Sequence, residues 1–289
     1  MIDNLYLNVG AMKAGTTWLY AHLEHHRDIH FSREKEVHYF AHVNTYHSPL
    51  GQGQRLSRFK DAMKHIDVSH GDVGRISQYV DWYKGYISNP VDDVWYENLF
   101  KDRGSERYLT DFSNLYSHID STGWDHIKQI SRNLRVTYIM RHPLARLWSH
   151  VKFHTKIVGE YDAMLNWSPE EFSDMVRKAF IWDNTEYCRV VRTLSENLEP
   201  DQFKVFFFED IHADPLAALR QLEDFLQIGR HKYDSATLTE RVNVSSQLAL
   251  PAAFEDQFKP DLIKEVQGLT ELGYNLPESW NDLVEPEAA

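Results

Sequence analysis

The stretch LYLNVGAMKAGTT, residues 5–17, decides the fold of this chain. Residues 5–9 form a short β-prone run that stops at Gly10, and the residues from Thr16 to His25 have the apolar spacing of a helix. A strand, a glycine-bounded loop and a helix in this order point backbone N–H groups and a helix N-terminus at a phosphate group. The stretch therefore predicts a phosphate-binding loop at residues 10–17.

The position of the lysine distinguishes this loop from the common nucleotide P-loop. That pattern requires a lysine directly after the second glycine, where this chain has Thr16, and Lys13 lies inside the loop instead. A nucleotide kinase would also need magnesium, which the acids after the apolar run 206–208 could help to hold. Transfer of a sulfonate group can proceed with lysine and amide donors alone, because that group carries less negative charge than a phosphoryl group. The loop by itself leaves both chemistries open.

Strands and helices alternate along the rest of the chain. Strands are expected at 107–110, 134–140 and 203–208, and helices at 79–86, 94–100, 143–154, 186–196, from Ser168-Pro169 and from Asp214-Pro215. This alternation predicts an α/β fold, in which a parallel β-sheet is flanked by helices on both faces. Because no linker-like composition divides the chain, we predict a single domain over residues 1–289.

The composition argues against several kinds of partner and site. A formal charge of −12, from 43 acidic and 31 basic residues, disfavours nucleic acid and other polyanions as partners. The single cysteine, Cys188, rules out an intrachain disulfide and a cysteine zinc cluster. The sequence has no run of about 18 apolar residues and opens without a charged and then apolar leader, so we predict no membrane span and a cytoplasmic location. The oligomeric state stays open.

Two motifs together resemble those of the sulfotransferases that use 3′-phosphoadenosine 5′-phosphosulfate (PAPS). KAGTTWL, residues 13–19, is similar to the family's 5′-phosphosulfate loop, and YIMRHPLARLWS, residues 138–149, is similar to its strand followed by Arg-x-Pro-x-x-Arg-x-x-Ser. The resemblance implies a P-loop-like nucleotide-binding sulfotransferase fold, PAPS as donor, 3′-phosphoadenosine 5′-phosphate (PAP) as product, and no metal. It implies donor binding by Lys13, Ala14, Gly15, Thr16, Thr17 and Trp18 at the 5′ end and by Arg141 and Ser149 at the 3′-phosphate. Arginine suits that role because its guanidinium makes a charge-assisted fork to phosphate.

Weaker parts of the resemblance extend the predicted donor site. Tyr187 corresponds either to a family tyrosine near the adenine or to a core residue. Arg241, Val242 and Asn243 occupy the place of a family loop that closes over the donor. The acids Glu209 and Asp210, after the late apolar strand, are interpreted as structural rather than as magnesium ligands.

The candidate base comes from a third motif. SREKEVHYF, residues 32–40, resembles the Lys-Glu-x-His-Phe-Phe segment of carbohydrate sulfotransferases, which implies Glu36 as catalytic base and places His38 in the active site. In an extended segment these two side chains point to the same side, so they could face one cleft. A charged run of this kind is also typical of a solvated face, and His38 is the alternative base.

The acceptor is less well defined than the donor. The segment TDFSNLY, residues 110–116, lacks the Lys and Pro of the Glu-Lys-x-Pro-x-Tyr motif in carbohydrate enzymes, which argues against a heparan-like acceptor. We therefore predict in-line transfer of a sulfonate group to an acceptor hydroxyl on a saccharide or a small alcohol. The alternatives are a P-loop nucleotide kinase and a PAP- or PAPS-binding protein without catalysis.

Overall fold

The computed structural model describes residues 1–47, 49–66, 72–240 and 248–284. Its parallel sheet contains β1 (Ile2–Asn8), β2 (Ile29–Phe31), β3 (Tyr108–Phe112), β4 (Ser131–Met140) and β5 (Phe203–Phe207), in the order β2-β3-β1-β4-β5. In the register of the parallel pairs, Ile29 lies opposite Tyr108 and Val136 lies opposite Phe203. The predicted α/β fold with a parallel sheet flanked by helices is confirmed.

Helices follow or connect these strands throughout the described residues. They are α1 (Thr16–Leu23), α2 (Tyr39–Asn44), α3 (Gln52–Lys64), α4 (Val73–Ile87), α5 (Asp93–Asn98), α6 (Ser121–Ile130), α7 (Pro143–Ile157), α8 (Tyr161–Met164), α9 (Pro169–Val176), α10 (Ala179–Trp182), α11 (Tyr187–Asn197), α12 (Phe208–Ala213), α13 (Pro215–Leu226), α14 (Ser235–Leu238) and α15 (Ala252–Glu271). Short 3₁₀ helices occupy Asn114–His118, Asp183–Thr185 and Glu278–Leu283. The predicted helices are present, and the predicted strand at 107–110 lies slightly later, as β3.

Local sequence explains where several helices begin. Pro143 opens α7 because its fixed φ suits the first turn, and the His142 side chain accepts a hydrogen bond from the Ala145 N–H as a cap. Ser168 starts α9 with a capping box, in which its hydroxyl accepts from the Glu171 N–H and the Glu171 carboxylate accepts from the Ser168 N–H. Asp214 caps α13 without a capping box, because its carboxylate accepts from the Ala217 N–H and alanine has no polar side chain to donate or accept in return.

The chain divides into two compact units, each with its own core. The first unit is Met1–Leu7 with His26–Arg135, and its core contains the fully buried rings of Phe40, Tyr96 and Tyr116. The second unit is Asn8–His25 with Val136–Ala289. Its core includes an aromatic cluster of Trp148, Phe172, Phe254 and Phe258. The single domain over residues 1–289 stays a prediction.

Candidate functional site

The predicted phosphate-binding loop lies at the carboxyl end of β1 and is fixed to β4 by backbone hydrogen bonds. The Ala11 N–H donates to the Ile139 carbonyl at 2.8 Å, and the Ile139 N–H donates to the Gly10 carbonyl at 2.8 Å. Farther along the loop, Lys13 (φ 68°) and Gly15 (φ 86°) have left-handed backbone conformations. Turns of this kind bring successive N–H groups to one side, which makes a concave site for an anion.

Gly15 is required at its position for two reasons. Its φ lies in the region where a side chain is strained, and a Cβ built there would lie 2.8 Å from the Phe208 Cδ2 atom. Gly15 is also the N-cap residue of α1 and has no side chain with which to cap it. This helix start therefore has the form found at phosphate sites, where the ligand bonds to the first-turn N–H groups.

Lys13 and Arg141, predicted from two separate motifs, are brought together in the second unit. The Arg141 Nη1 atom donates to the Lys13 carbonyl at 3.1 Å, and its guanidinium carbon lies 4.6 Å from the centre of the Phe208 ring. The Lys13 Nζ atom lies 4.3 Å from the centre of the Phe153 ring on α7. Ser149 is on the same helix, about two turns after Arg141, and is buried.

The turn that carries Arg141 is held from two directions. The buried Tyr187 hydroxyl donates to the Arg141 carbonyl at 2.7 Å, and burial, despite the charge of Arg146, raises the pKa of Tyr187 to about 12. The His142 N–H donates to a Glu209 carboxylate oxygen at 2.9 Å. Glu209 thus supports the turn, in line with its structural interpretation. The Tyr187 hydroxyl is thus bonded to the Arg141 backbone, and a contact between the Tyr187 ring and adenine stays a prediction.

The other residues predicted at the donor site occupy the start of α1 or lie outside the described residues. Ala14 is buried in the loop, Thr16 and Thr17 begin α1, and the Trp18 ring is 3 % exposed and lies 4.1 Å from the His22 ring. Arg241, Val242 and Asn243 are outside the described residues.

The candidate base and its neighbour meet in the first unit, but not through an extended chain. Glu36 and His38 have φ values of 57° and 61°, so the expectation of an extended segment is wrong. His38 is instead the left-handed residue before α2, and its N–H donates to the Ser113 hydroxyl at 2.9 Å. The Glu36 Oε2 and His38 Nε2 atoms are still 3.7 Å apart, so the two side chains face each other.

The surroundings of Glu36 favour its charged form. Burial acts to raise the pKa of this carboxyl, but the hydrogen bond and charge of His38, with the charges of Lys35 and Arg58, outweigh it and hold the pKa below its ordinary value. The Asn114 Nδ2 atom also donates to the Glu36 Oε1 atom at 3.3 Å. A carboxylate held ionised and oriented in this way can accept a proton.

Comparison with known proteins decides the family. A model of the sulfotransferase family matches residues 8–232. This chain belongs to the sulfotransferase family.

Three solved structures with the same fold are themselves sulfotransferases. The enzyme from Alicyclobacillus acidocaldarius is 18% identical to this sulfotransferase, with a TM-score of 0.64 over 97% of this chain and 100% of that one. The domain from the curacin biosynthetic pathway is 18% identical, with a TM-score of 0.51 over 96% and 99%. The domain from the Synechococcus PCC 7002 olefin synthase is 17% identical, with a TM-score of 0.53 over 96% and 96%. No curated protein matches this chain.

The described residues contain neither a metal-binding cluster nor a membrane-spanning helix. Among the residues described, no group of His, Cys, Asp or Glu side chains is arranged to hold a metal ion. Within the same residues, every helix is too short or too polar to cross a membrane.

Sequence reasoning missed several residues that shape the sites of this sulfotransferase. Phe208 packs against both Gly15 and Arg141, and Phe153 lies beside Lys13. Asn114 reaches Glu36 from the segment that the sequence singled out only for its missing lysine. The polar side chain of Asn114 in that segment is a signal that could have pointed to the site. Nothing in the sequence distinguishes Phe153 and Phe208 from core residues.

Proposed function

We propose that this sulfotransferase takes its sulfonate group from PAPS and transfers it to a hydroxyl of a saccharide or a small alcohol. The observation that supports the proposal is the hydrogen bond from the Arg141 guanidinium to the Lys13 carbonyl, which brings a second cationic residue to the loop that carries Lys13. The loop fits the donor because its glycine leaves no Cβ at the helix start and its left-handed turns suit an anion.

Each residue has a distinct task in the proposed reaction. PAPS, when bound, supplies the activated sulfonate group. Glu36 accepts the acceptor's proton as the new S–O bond forms, with His38 as the alternative base. Lys13 and the amides of residues 14–17 stabilise the 5′-phosphate as the old S–O bond breaks. Arg141 and Ser149 anchor the 3′-phosphate, and Trp18 and Tyr187 complete the predicted donor site.

The acceptor proposal is supported by two partly exposed rings, one of them beside the loop, and by the overall charge. Phe153 and Phe180 in the second unit are 38% and 40% exposed, and Phe153 lies beside Lys13. An aromatic ring can stack on a sugar face or on the hydrocarbon part of an alcohol. The formal charge of −12 argues against a polyanionic saccharide.

The kinase alternative is less well supported. Lys13 is not at the kinase position, and Glu209, one of the two acids that could help to hold magnesium, accepts a hydrogen bond from the His142 backbone. The second alternative, a donor-binding protein without catalysis, predicts PAP binding with no turnover.

The test is thermal unfolding with PAP, followed by transfer assays. We expect PAP at about 100 times its Kd to stabilise the folded protein by about 2.7 kcal/mol in the presence of EDTA. ATP with magnesium should give no comparable shift, and Arg141→Ala should lose most of the PAP effect. Labelled PAPS should then transfer label to members of an alcohol and sugar panel. Stabilisation only by ATP with magnesium would overturn the donor assignment, and PAP binding without transfer to any acceptor would favour the non-catalytic alternative.

A further inference from the structure

A buried carboxylate in the first unit gathers three hydroxyl groups. Asp111, on β3, is 2% exposed and accepts hydrogen bonds from the Tyr116 hydroxyl at 2.5 Å, the Ser113 hydroxyl at 2.7 Å and the Tyr96 hydroxyl at 3.4 Å. Both tyrosine rings are fully buried, and burial, followed by the charge of Asp111, raises their pKa values well above the ordinary one, so they remain donors. A buried carboxylate is tolerated only with such partners.

Ser113 connects this carboxylate to the candidate base segment. Its hydroxyl donates to the Asp111 Oδ1 atom and accepts from the His38 N–H at 2.9 Å. Because the hydroxyl proton is given to Asp111, an oxygen lone pair is directed to the His38 N–H. The two hydrogen bonds therefore form one chain from the Asp111 carboxylate to the His38 backbone.

The hydrogen bonds from Asp111 through Ser113 hold an uncommon backbone conformation at residues 36–38. Glu36 and His38 are both left-handed although neither is glycine, and such residues persist only where their surroundings fix them. On the far side of the same segment, Asn114 donates to the Glu36 carboxylate. Residues 111–114 thus hold the His38 backbone and the Glu36 side chain at once.

We infer that Asp111 and Ser113 are positioning residues for the base, and that they orient Glu36 by fixing the left-handed turn at His38. The inference rests on the proposed function, in which Glu36 accepts the acceptor's proton. The hydroxyl of Ser113 acts through Glu36 and does not touch the reacting atoms. A side chain that acts in this manner affects kcat through the base and leaves donor binding unchanged.

The chain offers a matched control at Thr110, on β3 and three residues before Ser113. Thr110 is fully buried like Ser113, and its hydroxyl has no hydrogen-bond partner within the described part of the chain. Thr110→Val removes a hydroxyl and keeps the shape of the side chain. It therefore reports the effect of losing a buried hydroxyl that takes no part in the hydrogen bonds between Asp111, Ser113 and His38. Ser113→Thr retains the hydroxyl and serves as the conservative variant.

The experiment is a double-mutant cycle between Ser113→Ala and Glu36→Gln. Ser113→Ala should lower kcat about 10-fold, because positioning losses of this kind cost about 10- to 100-fold. The Kd for PAP, measured by thermal shift, should stay within about 2-fold, while Tm in the absence of ligand falls by about 2–4 °C.

In the Glu36→Gln background, Ser113→Ala should lower the residual rate by less than about 2-fold, since the group it positions is already lost. Thr110→Val should keep full activity, and Ser113→Thr should recover part of the lost rate.

The outcomes separate this inference from the proposed function. A normal kcat in Ser113→Ala, or an equal loss in both backgrounds, would overturn the positioning role and leave Glu36 as the base. A Glu36→Gln enzyme with normal kcat would instead overturn the proposed base, whatever Ser113→Ala does. If Ser113→Ala does not fold, Tyr116→Phe removes one hydroxyl from Asp111 while keeping the ring, and its smaller loss of kcat should vanish in the Glu36→Gln background.

Discussion

The donor region, residues 10–17 with 141–149, and the base region, residues 36–38 with 111–114, hold their charged groups by different means. In the donor region, a backbone loop and its bonds to β4 set the geometry, and Lys13 and Arg141 add charge at the loop. In the base region, we infer that the buried side chain of Asp111 sets the geometry through Ser113, and the group that it orients is the Glu36 carboxylate. A loop held by backbone hydrogen bonds should keep its shape when most of its side chains change, with Gly15 as the exception. The base region should depend instead on individual hydroxyl groups.

This difference predicts that substitutions in the two regions have different effects. Substitutions in the base region should lower the rate of transfer without weakening donor binding. Substitutions in the donor region should lower both, because in the proposed reaction its cations serve donor binding and stabilisation of the departing phosphate together.

The largest effect is expected for Glu36→Gln. This variant keeps the shape of the side chain and removes its basicity, so kcat should fall by about 10²–10⁴-fold while the Kd for PAP is unchanged. Steady-state transfer of labelled sulfonate and thermal shift with PAP measure the two quantities. Glu34→Gln is the matched control. Glu34 lies two residues before Glu36, but its carboxylate accepts a hydrogen bond from the Tyr83 hydroxyl at 2.6 Å. If Glu36→Gln retains full activity, the base is His38.

A somewhat smaller loss is expected for Lys13→Ala. Removing one preorganised cation from the departing phosphate should lower kcat by about 10²–10³-fold, and PAP binding should weaken as well. Transfer rates and the PAP thermal shift check both parts. Lys156→Ala, which removes an exposed positive charge from α7, should leave both nearly unchanged. A Lys13→Ala enzyme that loses rate but binds PAP normally would contradict the combined role of the donor region.

The smallest effect is expected from pH. Because the pKa of Glu36 is lower in the folded chain than its ordinary value of about 4.3, the carboxylate stays charged through mildly acidic pH. Its contribution to stability is therefore present above the unfolded-chain value and is lost as pH falls through the lowered folded value. We expect titration of Glu36 to change kcat/KM by less than about 3-fold between about pH 6 and 8.

His38→Asn sharpens this pH prediction. Removing the imidazole removes the hydrogen bond and charge that oppose the effect of burial on Glu36, so the acid limb of kcat/KM should move to higher pH. A pH series with both enzymes measures the shift. An acid limb near pH 6 to 7 in the original enzyme that disappears in Glu36→Gln would show that the pKa of Glu36 is raised rather than lowered.

Much of the fold and of the donor region could be predicted from the sequence. The apolar runs that became β1, β4 and β5 and the proline-started helices were visible because periodicity and proline act locally. Gly15, Lys13 and Arg141 stood out because a phosphate loop is contiguous and an Arg-x-Pro turn follows a strand directly. The prediction of an extended segment at Glu36 failed because nothing nearby in sequence reveals that Ser113 holds His38 in a left-handed turn.

The sequence alone therefore determined the α/β class and the family to which the motifs point, and it predicted the phosphate-binding loop, since each depends on residues that are neighbours along the chain. Only the tertiary structure placed Phe208 against Gly15, connected Asp111 through Ser113 to His38, and brought Asn114 to Glu36. His38 and Ser113 are 75 residues apart, and a hydrogen bond over that separation exists only after the strands have paired and the core has packed.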